Sequence, residues 1–236
     1  MTVLGKLYLI PTTLGAESPV YVIPGYVKKL VSGLRFFIVE EERTARRFLR
    51  KLDPEFPIDD TTFYILNEHS LKEDISEYLN ITDSDNVGIL SEAGAPCVAD
   101  PGSAIVKLAH QRGINVIPLI GPSSILLALM ASGLNGQNFA FNGYLPVQKD
   151  QRCKQIKKLE NHSFSEKQTQ IFIEAPYRNQ HLLEDILTSC EPATLLCIAA
   201  DLTLSTEFIK TYSIAEWKKH MPSIQKRPSI FLIQKL

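Results

Sequence analysis

From its first residues to about residue 120 the chain alternates short apolar runs, rich in β-branched and aromatic residues, with polar helix-like stretches. Strands buried on both faces read as near-continuous hydrophobic runs, and parallel neighbours need a crossover between them, usually a helix. The alternation therefore predicts a largely parallel sheet covered by helices. The expected strands are Lys6 to Ile10, Arg35 to Val39, Thr62 to Leu66, Val87 to Leu90 and Val116 to Leu119. Between them, Glu42 to Leu52 is a basic amphipathic helix. Ser70-Leu-Lys-Glu73 is a capping box opening a helix to about Leu79, and Ser103 to Arg112 is a helix stopped by Gly113 at its C′ position.

After Gly121-Pro122 the pattern changes. A helix from Ser123 to Ser132 ends at Gly133, and strands are expected at Phe139 to Asn142, Thr169 to Ile173, Thr194 to Ile198 and Ser229 to Ile233. Helices fall at about Lys149 to Glu160, Arg178 to Ser189 and Ser213 to Lys219, the last with a Ser213-x-x-Glu216 capping box in which Trp217 packs onto the sheet. This half is expected to be α+β with a mixed sheet. The fold class is thus α/β with two domains, residues 1–120 and 121–236. No repeat of fixed period and no low-complexity linker separates the halves.

Composition removes several classes of function. The longest apolar stretch, Ile120 to Leu134, is broken by Pro122, Ser123, Ser124 and Ser132 and falls short of the roughly 18 to 20 residues a membrane span needs. No membrane association is expected, and an N-terminus that enters a strand directly leads to the expectation of a cytoplasmic protein. Cys97, Cys153, Cys190 and Cys197 lack C-x-x-C spacing, and no set of His, Cys, Asp or Glu has ligand spacing, so no metal is expected. His69 stands alone, without a visible partner. With 25 Lys plus Arg against 26 Asp plus Glu, a polyanion can be held only by a local basic surface.

The chemistry is concentrated in loops. Leu90-Ser-Glu-Ala-Gly-Ala-Pro-Cys-Val-Ala-Asp-Pro-Gly102 follows a buried strand and precedes a helix, the place where open α/β sheets bind ligands. Ala93, Gly94 and Ala95 allow close backbone approach, Pro96 and Pro101 stiffen the path, and Glu92 and Asp100 can accept hydrogen bonds from a ribose or an amine. Alternatively the loop is a structural turn in which Asp100 caps the following helix. Two carboxylates and no cation make it a poor phosphate loop and a better fit to a cationic ligand. Ile120-Gly-Pro-Ser-Ser124 is a second small-residue turn at the start of a helix, where Ser123 and Ser124 are either ligand contacts or ordinary N-caps.

Taken in order, Gly5-Lys-Leu-Tyr-Leu-Ile-Pro-Thr, Val39-Glu-Glu-Glu-Arg43-Thr, Ser91 to Gly102, Gly121-Pro-Ser-Ser, Ala131-Ser-Gly-Leu, Phe141-Asn-Gly-Tyr-Leu-Pro146, Phe172-Ile-Glu-Ala-Pro-Tyr-Arg178 and Asp201-Leu-Thr203 resemble the tetrapyrrole methylase-like superfamily. Within it they are most similar to the 2′-O-ribose (cytidine) methyltransferase I group acting on small-subunit ribosomal RNA. The resemblance covers nearly the whole chain. It implies a two-domain fold with a mostly parallel N-terminal sheet, a mixed C-terminal sheet and S-adenosylmethionine in the cleft between them. It also implies a homodimer, for which the apolar stretch Val20 to Val31 is the candidate interface.

Carried over by position, cofactor contacts come from Pro11, Ser91, Glu92, Ala93, Gly94, Ala95, Pro96, Val98, Asp100, Ser123, Ser124, Tyr144, Pro176, Leu202 and Thr203. A ribose hydroxyl needs help to lose its proton, and the matching candidates are Glu40, Arg43, Glu174, Arg178 and Glu207. Glu174 and Arg178, four apart, can also simply pair with each other. Arg43, Arg46, Arg47, Arg50 and Lys51 form the densest basic patch and are the expected phosphate contacts, unless they are only a solvated helix face. Lys149, Arg152, Lys154, Lys157 and Lys158 are expected as a second bank. The expected function is methylation of small-subunit ribosomal RNA. The alternatives are a methylase of a tetrapyrrole or another small or protein acceptor, and a cofactor-binding relative without catalysis.

Overall fold

The computed structural model describes residues 5–15, 18–66, 70 and 76–236. His69 and most of the helix expected from Ser70 lie outside the described residues. The chain divides into two compact units, one ending at Ser123 and the other running Ser124–Leu236.

In the first unit, β1 (Lys6–Ile10), β2 (Phe36–Val39), β3 (Thr62–Ile65), β4 (Val87–Leu90) and β5 (Asn115–Pro118) form one parallel sheet in the order β3-β2-β4-β1-β5. Side chains alternate between its faces. Phe37 and Val39 join one apolar cluster with Ile10, Phe48, Leu49 and Leu52, while Ile38 joins the other with Leu7, Ile89, Ile105 and Ile114. Helix Glu42–Leu52 has the expected bounds, and Ala45, Phe48, Leu49 and Leu52 bury a single stripe at i, i+3, i+4 and i+7. Gly113 stands just past helix Gly102–Gln111 with φ +71°, the left-handed stop expected of it.

The stretch Val20 to Val31 corrects the sequence reading. It holds a 3₁₀ turn at Pro19–Tyr21 and a helix at Gly25–Val31, and Ile23, Val27 and Val31 are core residues. Their i, i+4 spacing is a helical stripe, not an exposed apolar surface. Only Val20, Tyr21 and Tyr26 of this stretch are exposed large hydrophobics.

The second unit contains β6 (Phe139–Tyr144), β7 (Thr169–Ile173), β8 (Leu195–Ala200), β9 (Phe208–Ser213) and β10 (Ser229–Gln234) in the order β6-β7-β10-β8-β9. β6 and β7 are parallel and the remaining pairs antiparallel, giving the mixed sheet. Strand β9 was not expected from the sequence. Trp217 is buried in the main cluster with Phe172, Phe231 and Leu183, and its indole N–H donates to Leu196 O at 2.8 Å. The Ser213–Glu216 capping box is present, but its helix is one turn, Ile214–Trp217.

Helix Lys149–Glu166 runs a turn and a half beyond its expected end, because Leu159, Glu160 and Ser163 continue its buried face. Glu160 is fully buried, yet its carboxyl sits below the usual range. Burial alone would raise it; hydrogen bonds from Lys157, Thr194 and the Glu191 N–H together outweigh that. Arg152, expected to meet RNA phosphates, is also inside. Its guanidinium donates to Asp185 Oδ2 through Nε at 2.7 Å and Nη2 at 2.6 Å, and through Nη1 to Val147 O at 2.7 Å. Lys157 is committed to Glu160 and Glu191, which leaves Lys149, Lys154 and Lys158 exposed on this helix.

Candidate functional site

All five strands of the parallel sheet point the same way, so the residues that follow them gather along one edge. Pro11 follows β1, Glu40 follows β2, Ser91 follows β4, and Leu119–Ser123 follows β5. The pairs Ile10 with Leu90 and Val39 with Leu90 bring these loop starts level.

The loop after β4 is held by its own polar groups. The Ser91 hydroxyl donates to Gly94 O at 2.6 Å, and the Thr12 N–H donates to the same carbonyl at 2.9 Å. Thr12 Oγ1 lies 3.4 Å from Ser91 Oγ; with the Ser91 proton already directed at Gly94, Thr12 is the donor there. Thr12 thereby ties the Pro11 loop to the Ser91 loop, a role the sequence reading did not assign. Asp100 spends both oxygens on backbone, Oδ2 accepting from Cys97 N at 2.7 Å and Oδ1 from Gly102 N at 2.8 Å. Asp100 is therefore an organiser of the loop; the structural-turn alternative raised above fits it, although the N-cap of the following helix is Pro101 and Asp100 reaches its first N–H from one residue earlier.

These bonds support an unusual backbone. Gly94, Cys97 and Ala99 have φ of +74°, +66° and +63°, so two side-chain-bearing residues occupy the left-handed region. A Cβ on Gly94 would stand 2.9 Å from Leu14 Cδ2, and one on Gly121 only 2.2 Å from Pro11 Cγ. Backbone packs closely here because side chains are missing. Gly94 and Pro96 are buried, whereas Glu92, Ala93 and Val98 are exposed and form the outer surface of the loop.

The electrostatics of this edge are negative. Burial, then Asp100, then Glu92 push the Glu40 carboxyl above its ordinary range. Glu40 and Asp100 line a small pocket with Val39, Leu66, Leu90 and Gly102. Glu92 accepts from Thr44 Oγ1 at 2.6 Å, linking the loop to helix Glu42–Leu52. The Cys97 thiol is pushed up to about 12 by burial and by Asp100. For Glu40 the sign is clear: its folded value exceeds the unfolded one, so ionised Glu40 destabilises the fold at neutral pH and ceases to do so once protonated. Glu40→Gln is accordingly expected to raise the melting temperature at pH 7, with the gain vanishing as pH falls below the ordinary carboxylate range. Thermal melts across pH 3.5 to 8 check this.

On helix Glu42–Leu52, Arg43, Arg47, Arg50 and Lys51 are exposed. Arg46 is occupied, its Nε 2.7 Å from Glu42 Oε1 and its guanidinium 5.0 Å from the centre of the Phe63 ring.

In the second unit the relevant residues gather at one end of the mixed sheet. Ile173 pairs with Ile230 and Ala200 with Ser229, so Glu174 and Asp201 leave the sheet on either side of the start of β10. Glu174 is buried and pairs with Arg178, Oε1 accepting Nη2 at 2.6 Å, Nε at 2.9 Å and the Ala175 N–H at 2.7 Å. The pairing raised from their spacing is formed. Arg178 keeps a quarter of its side chain exposed beside the Tyr177 ring. Glu207 accepts the Thr203 N–H at 2.8 Å, Leu202 is buried, and Tyr144 is 59% exposed. Ser124 begins helix Ser124–Ser132, and Pro176 begins the 3₁₀ turn Pro176–Arg178.

No protein-family profile matches the chain. Ribosomal RNA small subunit methyltransferase I of Escherichia coli O157:H7 is 27% identical over 98% of the chain and 78% of the relative's length. The enzyme of the same name from Buchnera aphidicola subsp. Schizaphis graminum is 31% identical over 97% of the chain and 78% of its own length. Among solved structures, diphthine synthase superposes with TM-score 0.68 at 15% identity, covering 98% of this chain and 90% of that one. The methyltransferase CobJ gives 0.64 at 15% identity over 98% and 94%. A uroporphyrin-III C-methyl transferase from Thermus thermophilus complexed with S-adenyl homocysteine gives 0.57 at 14% over 98% of each chain. The architecture is the two-domain fold of the tetrapyrrole methylases, and by its sequence the chain belongs to the ribosomal RNA small subunit methyltransferase I family.

Proposed function

We propose that this protein is an S-adenosylmethionine-dependent methyltransferase that modifies a ribose 2′-hydroxyl of small-subunit ribosomal RNA. Family membership supports the reaction and the acceptor class. The observation that carries the cofactor assignment is the loop from Ser91 to Asp100. It is tied by its own hydrogen bonds, poor in side-chain bulk where it is most buried, carries Glu92 and Asp100, and lies beside Glu40. Three carboxylates suit a cofactor with sulfonium and ammonium charges and would repel a phosphate.

When bound, S-adenosylmethionine supplies an electrophilic methyl group. In that transfer an oxygen–carbon bond forms, the carbon–sulfur bond breaks, and the hydroxyl proton must pass to a base. In this reading Pro11, Ala93, Gly94, Ala95 and Pro96 present backbone to the cofactor, while Ser91 and Asp100 keep that backbone in place. Val98, Ser123, Ser124, Tyr144, Pro176, Leu202 and Thr203 supply the remaining contacts, with Leu202 acting through its backbone because its side chain is buried. Glu40, half-buried and with its carboxyl raised, is the better matched base of the proposed set, and Glu207 is an exposed carboxylate. Arg43 and Arg178 hold phosphate, with Glu174 orienting Arg178.

RNA is met by the exposed face of helix Glu42–Leu52. Charge reversal of Arg47 and Arg50 together is expected to weaken binding of small subunits and to lower the slope of log affinity against log salt by about 0.9 for each lost phosphate contact on a duplex. Filter binding across salt concentrations reads this directly. The family's ribosomal acceptor implies action in the cytoplasm, and no helix among the described residues is long and apolar enough to cross a membrane. A homodimer belongs to the same reading, with exposed Val20 and Tyr21 available to an interface; equilibrium sedimentation tests it.

The deciding experiment is transfer of labelled methyl from S-adenosylmethionine to undermodified small subunits, to protein and to tetrapyrrole acceptors. Label in the RNA at a ribose supports the proposal. Label only in another acceptor reassigns the substrate, and a folded protein that binds cofactor without transferring methyl is a non-catalytic relative.

A further inference from the structure

The turn that leaves β8 is strained and is held from a distance. Asp201 and Thr203 have φ of +52° and +71°, a region that costs any residue with a Cβ and most of all a β-branched threonine. Such geometry persists only where surrounding groups over-determine it. Here Glu207 accepts the Thr203 N–H at 2.8 Å, and Leu204 N–H donates to Asp201 O at 3.0 Å. Thr206 Oγ1 donates to Asp201 Oδ2 at 3.0 Å and Glu207 N–H to Leu204 O at 3.0 Å, and Arg227 adds a restraint from outside the turn. Its Nε donates to Asp201 Oδ2 at 2.7 Å and its Nη2 to Thr206 O at 2.6 Å, so one guanidinium clamps both ends of the turn.

The same short segment reaches the neighbouring turn. Arg227 O accepts from Asn179 Nδ2 at 2.6 Å, directly after Arg178, and Lys226 N–H donates to Pro176 O at 2.8 Å from a residue that is itself left-handed, with φ +63°. Lys226 and Arg227 therefore tie together the Pro176–Arg178 turn and the Asp201–Glu207 turn. Thr203 meanwhile keeps a buried hydroxyl with no partner among the described residues. A buried hydroxyl without a partner on a strained turn is costly in isolation, and a ligand atom is one way to satisfy it.

We propose that Arg227 is a positioning residue for the cofactor, holding the Asp201–Glu207 turn in the strained conformation that presents Thr203. This rests on the reading of Leu202 and Thr203 as cofactor contacts. Arg227 would not touch the cofactor; it acts through Asp201 and Thr206. Lysine cannot reproduce the two-armed grip, because an ammonium lacks the fixed fork of a guanidinium.

The test compares the parent with Arg227→Ala, Arg227→Lys and Asp201→Asn, using amide hydrogen exchange and calorimetry with S-adenosylhomocysteine. Arg227→Ala is expected to speed exchange at the Thr203 and Leu204 amides selectively, sparing β8 and β10. It should weaken S-adenosylhomocysteine binding about tenfold or more, equivalent to roughly 1.4 kcal/mol. KM for S-adenosylmethionine should rise in proportion while kcat at saturation stays within about threefold, with Arg227→Lys intermediate. Asp201→Asn should repeat the effect with little change in volume, which covers the case in which the alanine variant fails to fold. Parent-like exchange and binding in a folded Arg227→Ala or Asp201→Asn protein overturns the positioning role alone. Failure of the folded parent to bind S-adenosylhomocysteine overturns the cofactor reading and this role with it.

Discussion

Gly94→Val is expected to abolish measurable S-adenosylmethionine binding while leaving both units folded. Valine at φ +74° is doubly disfavoured. A left-handed residue with a Cβ costs roughly 1 to 2 kcal/mol, and here the Cβ would also stand 2.9 Å from Leu14 Cδ2 and 3.4 Å from Pro122 O. The peptide escapes only by rotating, which would turn the Gly94 carbonyl from the two donors it now accepts, Ser91 Oγ and Thr12 N. Each lost hydrogen bond adds about 1 kcal/mol. Together these exceed what the loop can absorb, so the backbone surface leaves its place and affinity falls on the order of a hundredfold or more. Leu90 and the rest of β4 are paired on both sides and should not follow, so the circular dichroism spectrum is expected to match the parent. Calorimetry is the measurement, and binding within about threefold of the parent would remove this loop from the cofactor site.

The largest loss of stability is expected from Asp185→Ala. Arg152 and Asp185 have side chains only 8% and 4% exposed, so deleting the carboxylate strands a buried guanidinium. Breaking a buried pair from one side costs about 3 to 5 kcal/mol, whereas replacing both partners with apolar groups of similar volume is often neutral. Asp185→Ala should therefore lower the melting temperature on the order of 10 °C, and Arg152→Met with Asp185→Leu should return it close to that of the parent. RNA affinity of the folded double variant should be unchanged. A selective loss of RNA binding without loss of stability would place Arg152 back among the phosphate contacts.

Arg152 also shows where sequence reasoning stops. Its partner is 33 residues away on another helix, and nothing local distinguishes it from exposed Lys154 or Lys158. Where the determinants are local, the sequence was sufficient. Helix Glu42–Leu52 was placed to the residue because an apolar stripe, an acidic start and a basic end all lie inside it. The strands of the parallel sheet are legible within a residue or so because each is a short apolar run; β4 is buried throughout, while Lys6, Thr62 and Asn115 mark exposed starts of β1, β3 and β5. The Gly25–Val31 helix was missed although its Ile23, Val27 and Val31 stripe was visible, because valine-rich runs suit strands and helices alike. Strand β9, carrying Lys210 and Thr211 between apolar residues, lacked a sufficient apolar signal.

The site divides in the same way. The Ser91 to Gly102 stretch is legible as a loop of close backbone approach from its small residues and its position after a strand. A structural role for Asp100 is open in the sequence, but its bond to the Cys97 N–H is not, because Cys97 and Ala99 take left-handed backbone where no glycine advertises it. Thr12 and Arg227 act through partners 82 and 26 residues away, Gly94 and Asp201, and carry no local mark.

The displaced Cys97 thiol bears on the durability of a protein that handles an alkylating reagent. A thiolate in a loop proposed to hold S-adenosylmethionine would compete with the true acceptor and methylate itself. Burial first, and then Asp100, push the thiol up to about 12, so the neutral thiol is the favoured form at neutral pH. If this loop holds the cofactor, the burial that packs it, with Asp100 beside it, also disfavours the nucleophilic form of its own sulfur.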